Sequence, residues 1–194
     1  MPIYEQPEFP SAAEYFEKIY ESGMRSDITI KTKDGKEIKT HSFFLSRSKV
    51  FVAMLNKPDI CVIEIEDTDH DVLVEMIRYL YVDEAQISKE NAVKLLIAAN
   101  KYDVPVLESK CVGFLIANVD LELFAEILIV ADQLNIQCLK DAATNYVVNN
   151  REEVFSSAVW KNLKINHTLA MEFMESIIKQ ACTWDNFIWN LMML

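Results

Sequence analysis

The sequence predicts an α+β protein, mainly helical, in which a small three-stranded sheet with packed helices is followed by a helical extension. Three observations predict it. Residues 28–40 alternate apolar and polar around Asp34-Gly35, the pattern of a hairpin. Beyond residue 42 the apolar residues recur at helical spacing, interrupted by the short strand-like run "CVIEI". Farther on, "LLIAANKYDVPVLESKC" from Leu95 is matched by "ILIVADQLNIQCLKDAA" from Ile127, 32 residues later.

The elements follow in order. The opening "MPIYEQPEFP" holds three prolines and favours an extended arm over residues 1–10. Ser11 and Glu14 have the spacing of a capping box, which satisfies otherwise unpaired amides at a helix start. Tyr15, Phe16, Ile19 and Tyr20 then form an apolar stripe before Gly23 ends the helix. Ile28 and Ile30 mark a first strand, Asp34-Gly35 tolerates the positive φ of a tight turn, and Glu37 to Thr40 return as a second strand. From Ser42 to Leu55 the spacing predicts one helical run, with Phe44, Leu45, Val50, Phe51, Met54 and Leu55 apolar and Pro58 closing it. After the strand at "CVIEI", Thr68 with Asp71 is placed to cap a helix that buries Val72, Leu73, Met76, Ile77, Leu80 and Tyr81.

Past Ser88 the pattern is helical, and the internal repeat pairs Leu96 with Leu128, Ala99 with Ala131, Tyr102 with Leu134, Val104 with Ile136, Leu107 with Leu139 and Cys111 with Ala143. Each copy reads as helix, short turn, helix, a unit that buries its apolar face by stacking on a neighbour. A last helix is expected from about His167, with Leu169, Phe173, Met174, Ile177 and Ile178 apolar. In the tail "CTWDNFIWNLMML", Trp184, Phe187, Ile188 and Leu191 share one helical face, and two roles stay open for it: packing on its own domain or docking a partner.

Composition narrows the function. The formal charge of -11 argues against a nucleic acid or an anionic membrane surface, which are bound through clustered Lys and Arg. A basic protein surface suits it better. Cys61, Cys111, Cys138 and Cys182 form no C-x-x-C pair and no secretory leader is visible, so they read as reduced thiols of a cytoplasmic or nuclear protein, sitting on apolar faces as small core residues. No apolar run approaches the roughly 18 residues of a membrane span.

His41-Ser42 is the first place to look for nucleophilic chemistry, but no G-x-S-x-G elbow and no nearby glycine accompany it, so the pair reads as a structural corner. His70 and His167 read as surface positions at helix starts. The acidic run from Glu64 to Asp71 lacks the central glycine and distal glutamate of a calcium loop. No catalytic residue, cofactor site or metal site is expected.

Taken together, Ser26-Asp27-Ile28, His41 with Leu45, Ser48-Lys49-Val50-Phe51, Ala53-Met54, "VIEIED", "MIRYLY", "AANKYDVPVLESKC", "FAEILIVADQLNIQCLKDAATNYV" and "VWKNL" resemble the BTB/POZ domain family. The resemblance is to the BTB domain plus helical extension of MATH-BTB adaptors similar to speckle-type POZ protein. It implies an extended arm over 1–10, a BTB/POZ fold over 11–119, a BACK-like or 3-box helical extension over 120–181 and a hydrophobic tail over 182–194. It also implies a homodimer, with Ala12, Phe16, Ile19, Asp27, His41 and Phe44 at the seam, and the arm, with Ile3 and Tyr4, adding a strand to the mate's sheet.

The function implied by the resemblance is adaptor work, holding cullin-3 while an unidentified protein substrate is captured for ubiquitination. The alternative is a dimeric scaffold or transcriptional co-regulator that binds no cullin. The cullin face would draw on Leu55, Ile60, Tyr102 and Met174, and the tail residues Trp184, Phe187, Ile188 and Leu191 would serve a further partner. Three features depart from the family's pattern. Ser42 stands where Lys or Arg is usual beside the hairpin's Asp, which leaves Asp27 to find Arg47, water or nothing. The segment between Met54 and the third strand is short and lacks the hydrophobic-x-Glu signature, and Met174 stands in place of tyrosine.

Overall fold

The computed structural model describes residues 11–57 and 59–163. The arm with Ile3 and Tyr4, the closing Pro58, the helix expected from His167 with Met174, Cys182, and the tail with Trp184, Phe187, Ile188 and Leu191 lie outside the described residues. The chain divides into two units: one holds the described residues up to Ile87 together with Lys94–Glu108, the other Ser88–Val93 and the described residues from Ser109 onward.

In the first unit, α1 (Ala12–Ser22) begins with the capping box: the Ser11 hydroxyl accepts from the Glu14 amide at 3.2 Å and the Glu14 carboxylate accepts from the Ser11 amide at 2.8 Å. Gly23 ends it in the left-handed region, at φ 56°. The hairpin is β1 (Ile28–Thr32) and β2 (Glu37–Thr40), with Gly35 at φ 77° in the turn. β1 is the central strand, antiparallel to β2 through Ile30↔Ile38 and parallel to β3 (Val62–Ile65) through Ile30↔Ile63. The two-residue period puts Ile28, Ile30, Thr32, Ile38, Thr40, Ile63 and Ile65 on one buried face. Each such apolar side chain removed from water contributes roughly 1.5–3 kcal/mol.

The run from Ser42 to Leu55 is not one helix. It is α2 (Ser42–Leu45) and α3 (Lys49–Leu55), split at Ser48, whose hydroxyl accepts from the Phe51 amide at 3.2 Å and donates to the Tyr102 carbonyl. A serine that caps its own helix draws the backbone out of helical geometry, and apolar spacing alone does not register that. The next helix, α4 (His70–Val82), buries Val72, Leu73, Met76, Ile77, Leu80 and Tyr81 as expected, and Tyr79 as well. Its expected cap does not form. Asp69 occupies the N-cap position without a side-chain cap bond, its carboxylate accepting instead from Lys94 at 2.7 Å, while Thr68 turns to Asp67. α1 packs on α4, fixed by the Tyr20 hydroxyl on the Val74 carbonyl at 3.0 Å and by Arg78 Nε on Glu17 at 3.0 Å.

α5 (Ala92–Lys101) and α6 (Pro105–Ala117) form the first copy of the repeat, and α7 (Phe124–Gln133) and α8 (Gln137–Asn149) the second. The copies share backbone geometry as well as sequence. Asp103 and Asn135 both adopt positive φ, 52° and 55°, and the following amides of Val104 and Ile136 return to the carbonyls of Ala99 and Ala131, each at 2.8 Å. These are left-handed helix ends, held by residue types that visit that region most readily after glycine. In the second unit α8 packs on α7, and α9 (Arg151–Ser156) and α10 (Ala158–Leu163) follow.

The cysteine expectation needs correction: Cys111 is buried, but Cys61 and Cys138 are exposed, because one precedes the edge strand β3 and the other lies on the outer side of α8. His70 is half-buried rather than a surface residue. Among the described residues no helix is long and apolar enough to cross a membrane.

Candidate functional site

The stripe on α1, the corner after the hairpin and the C-terminal end of α4 meet in one aromatic cluster. The rings of Phe44 and Tyr81 stack at 3.9 Å, Phe16 meets the Phe44 ring edge-on at 5.2 Å, and Tyr20 lies 5.1 Å from Tyr81. α1 buries none of its residues completely, so Phe16 and Ile19 stay half-exposed and Ala12 exposed. The site therefore has a packed inner layer and an unpacked outer one.

The outer layer is where the sequence reading was incomplete. Phe44, assigned directly to the seam, is 9% exposed and supports the surface from beneath. Phe43, 76% exposed, and Tyr15, 53% exposed, project from it instead. One continuous helix does not register this, because α2 is only a four-residue turn in which the exposed Phe43 ring lies edge-on against the buried Phe44 ring at 5.3 Å. Met24, 60% exposed, also went unrecognised, as did Tyr81, which helical spacing placed in the core without revealing its polar role.

Tyr81 organises the corner. Its hydroxyl accepts from the His41 amide at 2.9 Å and lies 3.0 Å from the Thr40 hydroxyl and 2.6 Å from His41 Nδ1. His41 Nε2 sits 3.0 Å from the Met24 carbonyl, which can only accept. The partners therefore assign the ring hydrogen to Nε2, leave Nδ1 to accept from Tyr81, and close the network with no donor left over. Burial pushes the Tyr81 phenol up from its ordinary value, against the hydrogen bonds from Thr40 and His41.

Asp27 does not turn to Arg47. One carboxylate oxygen accepts from the Ser42 amide at 2.8 Å and the other from the Ser42 hydroxyl. Burial works to raise its pKa, yet the hydrogen bonds from Ser42, with His41 nearby, leave it below the usual carboxylate value. Arg47 goes to Asp83 and to the Leu80 carbonyl at 2.7 Å. His41, Ser42 and Asp27 thus form no nucleophilic relay. The serine proton is directed at a weakly basic carboxylate and the histidine at a tyrosine and a carbonyl, so no base activates the serine.

The second expected face is assembled from α3 and the turn between α5 and α6. Besides the Ser48 bond to Tyr102, Lys49 pairs with Asp103 at 3.0 Å and the Phe51 and Tyr102 rings stack at 4.8 Å. Leu55 and Ile60 are half-buried, while Val52 on α3 and Val106 in the first turn of α6 are exposed. Tyr102 itself is 0% exposed, so the assignment that put its ring on a partner face is corrected: the ring is core, and only its turn reaches the surface. Among the described residues no three metal-ligating side chains converge.

A family model described as the BTB/POZ domain matches residues 16–119. The chain is 29% identical over 178 residues to Protein maternal effect lethal 26 of Caenorhabditis elegans, covering 88% of this chain and 45% of that protein. It is 27% identical over 165 residues to BTB and MATH domain-containing protein 42 of the same organism, covering 80% and 40% respectively. The chain thus spans less than half the length of these curated relatives.

Proposed function

The chain belongs to the BTB/POZ domain family of protein-interaction and dimerisation modules, and on that premise we propose that it is a homodimeric adaptor that holds cullin-3 and presents a protein substrate for ubiquitination in cytoplasm or nucleus. The observation that carries the dimer is the aromatic outer layer of Tyr15, Phe16 and Phe43 above the packed Phe44 and Tyr81. Large aromatics left in water mark surfaces that are covered in the working assembly. Ala12, Ile19, Asp27 and His41 border this layer, and the proposed seam runs across them. The proposed cullin face is the surface of α3 and the α5–α6 turn, with Leu55, Ile60 and the exposed Val52 and Val106.

Phe43 supplies a cleaner test of the seam than Phe44, since its ring contributes little to the monomer core. Phe43→Asp should keep the circular dichroism of the parent yet sediment as a monomer at concentrations where the parent is a dimer, because pairing would bury an uncompensated carboxylate. A dimer of unchanged affinity would remove Phe43 from the interface. Cullin binding is tested by calorimetric titration with the N-terminal domain of cullin-3 from the same organism, expected at one cullin per subunit. Absence of binding would leave the second reading, a dimeric scaffold without cullin, which the complete burial of Tyr102 favours.

A further inference from the structure

We propose that the groove between the C-terminal end of α6 and the outer face of α8 binds an extended peptide segment that carries a basic side chain. The groove has a volume of about 460 Å³, with Ile116 and Val119 on one wall and Cys138, Ala142 and Tyr146 on the other. Along the α8 wall run Asp141, Asn145 and Asn149, three polar side chains at successive four-residue steps, all lining the groove.

The spacing is what selects the ligand. Four helical residues rise about 6 Å, and two residues of an extended chain advance about 6.6 Å. A carboxamide offers both a carbonyl acceptor and an N–H donor, so it can take the N–H and C=O of a single peptide residue. Successive asparagines on one helix face therefore meet alternate residues of an extended chain. Asn145 and Asn149 are exposed, and neither side chain makes a hydrogen bond to another described residue, so both are available. An extended backbone satisfies them in a way that a docking helix, whose own amides are already paired, does not.

Charge supplies the second part. Asp120 and Asp132 elsewhere in this unit are paired with Lys89 and Lys140. Among the described residues Asp141 accepts only from the Gln137 side-chain amide, at 2.8 Å, and no cation lines the groove. Its carboxylate is the unneutralised charge at one end of the ladder, so a Lys or Arg two or more residues along the peptide complements it. The apolar wall of Ile116 and Val119 accommodates a small aliphatic side chain between the polar steps.

The test is to pan a phage-displayed random dodecapeptide library against the full chain and measure the enriched peptides by fluorescence anisotropy. Enrichment of sequences with a Lys or Arg near small aliphatic residues is expected. Asn145→Ala with Asn149→Ala should weaken them at least tenfold, consistent with losing several hydrogen bonds of about 1 kcal/mol each. Asp141→Asn should erase the preference for the basic peptide over its Gln analogue, and N-methylation at alternate backbone positions should abolish binding. Circular dichroism confirms that the variants, all at exposed positions, remain folded. No enrichment by the full chain, equal binding by the double variant, or a change in the oligomeric mass of that variant, which would make the face a contact between copies, each overturns the proposal.

Discussion

Tyr102→Phe should stabilise the protein. Tyr102 is fully buried, and among the described residues its hydroxyl makes no hydrogen bond, the Lys101 ammonium lying over the ring at 4.9 Å from its centroid. A buried, unsatisfied polar group costs about 1–3 kcal/mol. The ring keeps its stack on Phe51 at 4.8 Å in the variant, and the Tyr102 carbonyl keeps its bond from Ser48, because neither involves the hydroxyl. The opposing term is the space vacated by one oxygen, a few tenths of a kcal/mol at about 24 cal/mol per Å³. The net gain is then about 1 kcal/mol or somewhat more. With a urea slope of about 2 kcal/mol/M, the midpoint should rise by about 0.5 M at fixed protein concentration. Ser48→Ala serves as the opposite control. It removes a hydroxyl that caps α3 and binds the Tyr102 carbonyl, and should cost about 2 kcal/mol. A Tyr102→Phe variant that loses 1 kcal/mol or more would refute the reasoning, since the hydroxyl must then be satisfied.

Three further outcomes are expected. Ser11→Ala should cost about 1 kcal/mol by removing the capping box, read as a lower urea midpoint; an unchanged midpoint would mean that α1 is held by α4 alone. Asn135→Gly should be neutral or slightly stabilising and Asn135→Val should cost about 1–2 kcal/mol, because position 135 sits at φ 55°; equal stability of the two would count against the left-handed helix end. Asp27, with its folded pKa depressed, contributes stability that is present above the ordinary aspartate value of about 3.9 and is lost as pH falls through the lower folded value. Its carboxyl ¹³C titration should therefore have a midpoint below that value, and a midpoint at or above it would remove the Ser42 clamp.

The parts of the fold that the sequence made legible are those governed by one local rule. Alternation at Ile28 and Ile30 set the buried face of the sheet, and Ser11 with Glu14 set the start of α1, because each pattern has few other uses. The misread elements are those where two rules competed. Ser48 could continue a helix or cap one, and it caps because a carbonyl of the α5–α6 turn also needs its hydroxyl. Thr68 and Asp71 had the spacing of a cap, but the helix starts one residue later, at Asp69, whose carboxylate accepts from Lys94, 25 residues away, and makes no cap. Phe43 and Phe44 differ by nothing in composition. Which of them faces water depends on the break at Ser48 and on the stack against Tyr81, neither of which is local.

The same corner decides how the proposed seam should respond to salt. With Ser42 in place of the usual basic residue, Asp27 is held by a hydroxyl and by the first amide of α2, one of the donors a helix start leaves unpaired. The clamp fixes the start of the turn that carries Phe43, and it involves no cation. The nearby ion pair, Arg78 with Glu17, closes within one subunit. Nothing in this set is a charge pair that salt would weaken across the seam. Each subunit instead carries a formal charge of -11, so the long-range force between two of them is repulsive. Raising salt from about 0.1 M to 1 M shortens the screening length from about 10 Å to about 3 Å, which relieves that repulsion while leaving aromatic burial intact. Dimer affinity measured by sedimentation should therefore rise with salt. A fall would mean that ion pairs, rather than Phe43 and Tyr15, hold the two subunits together.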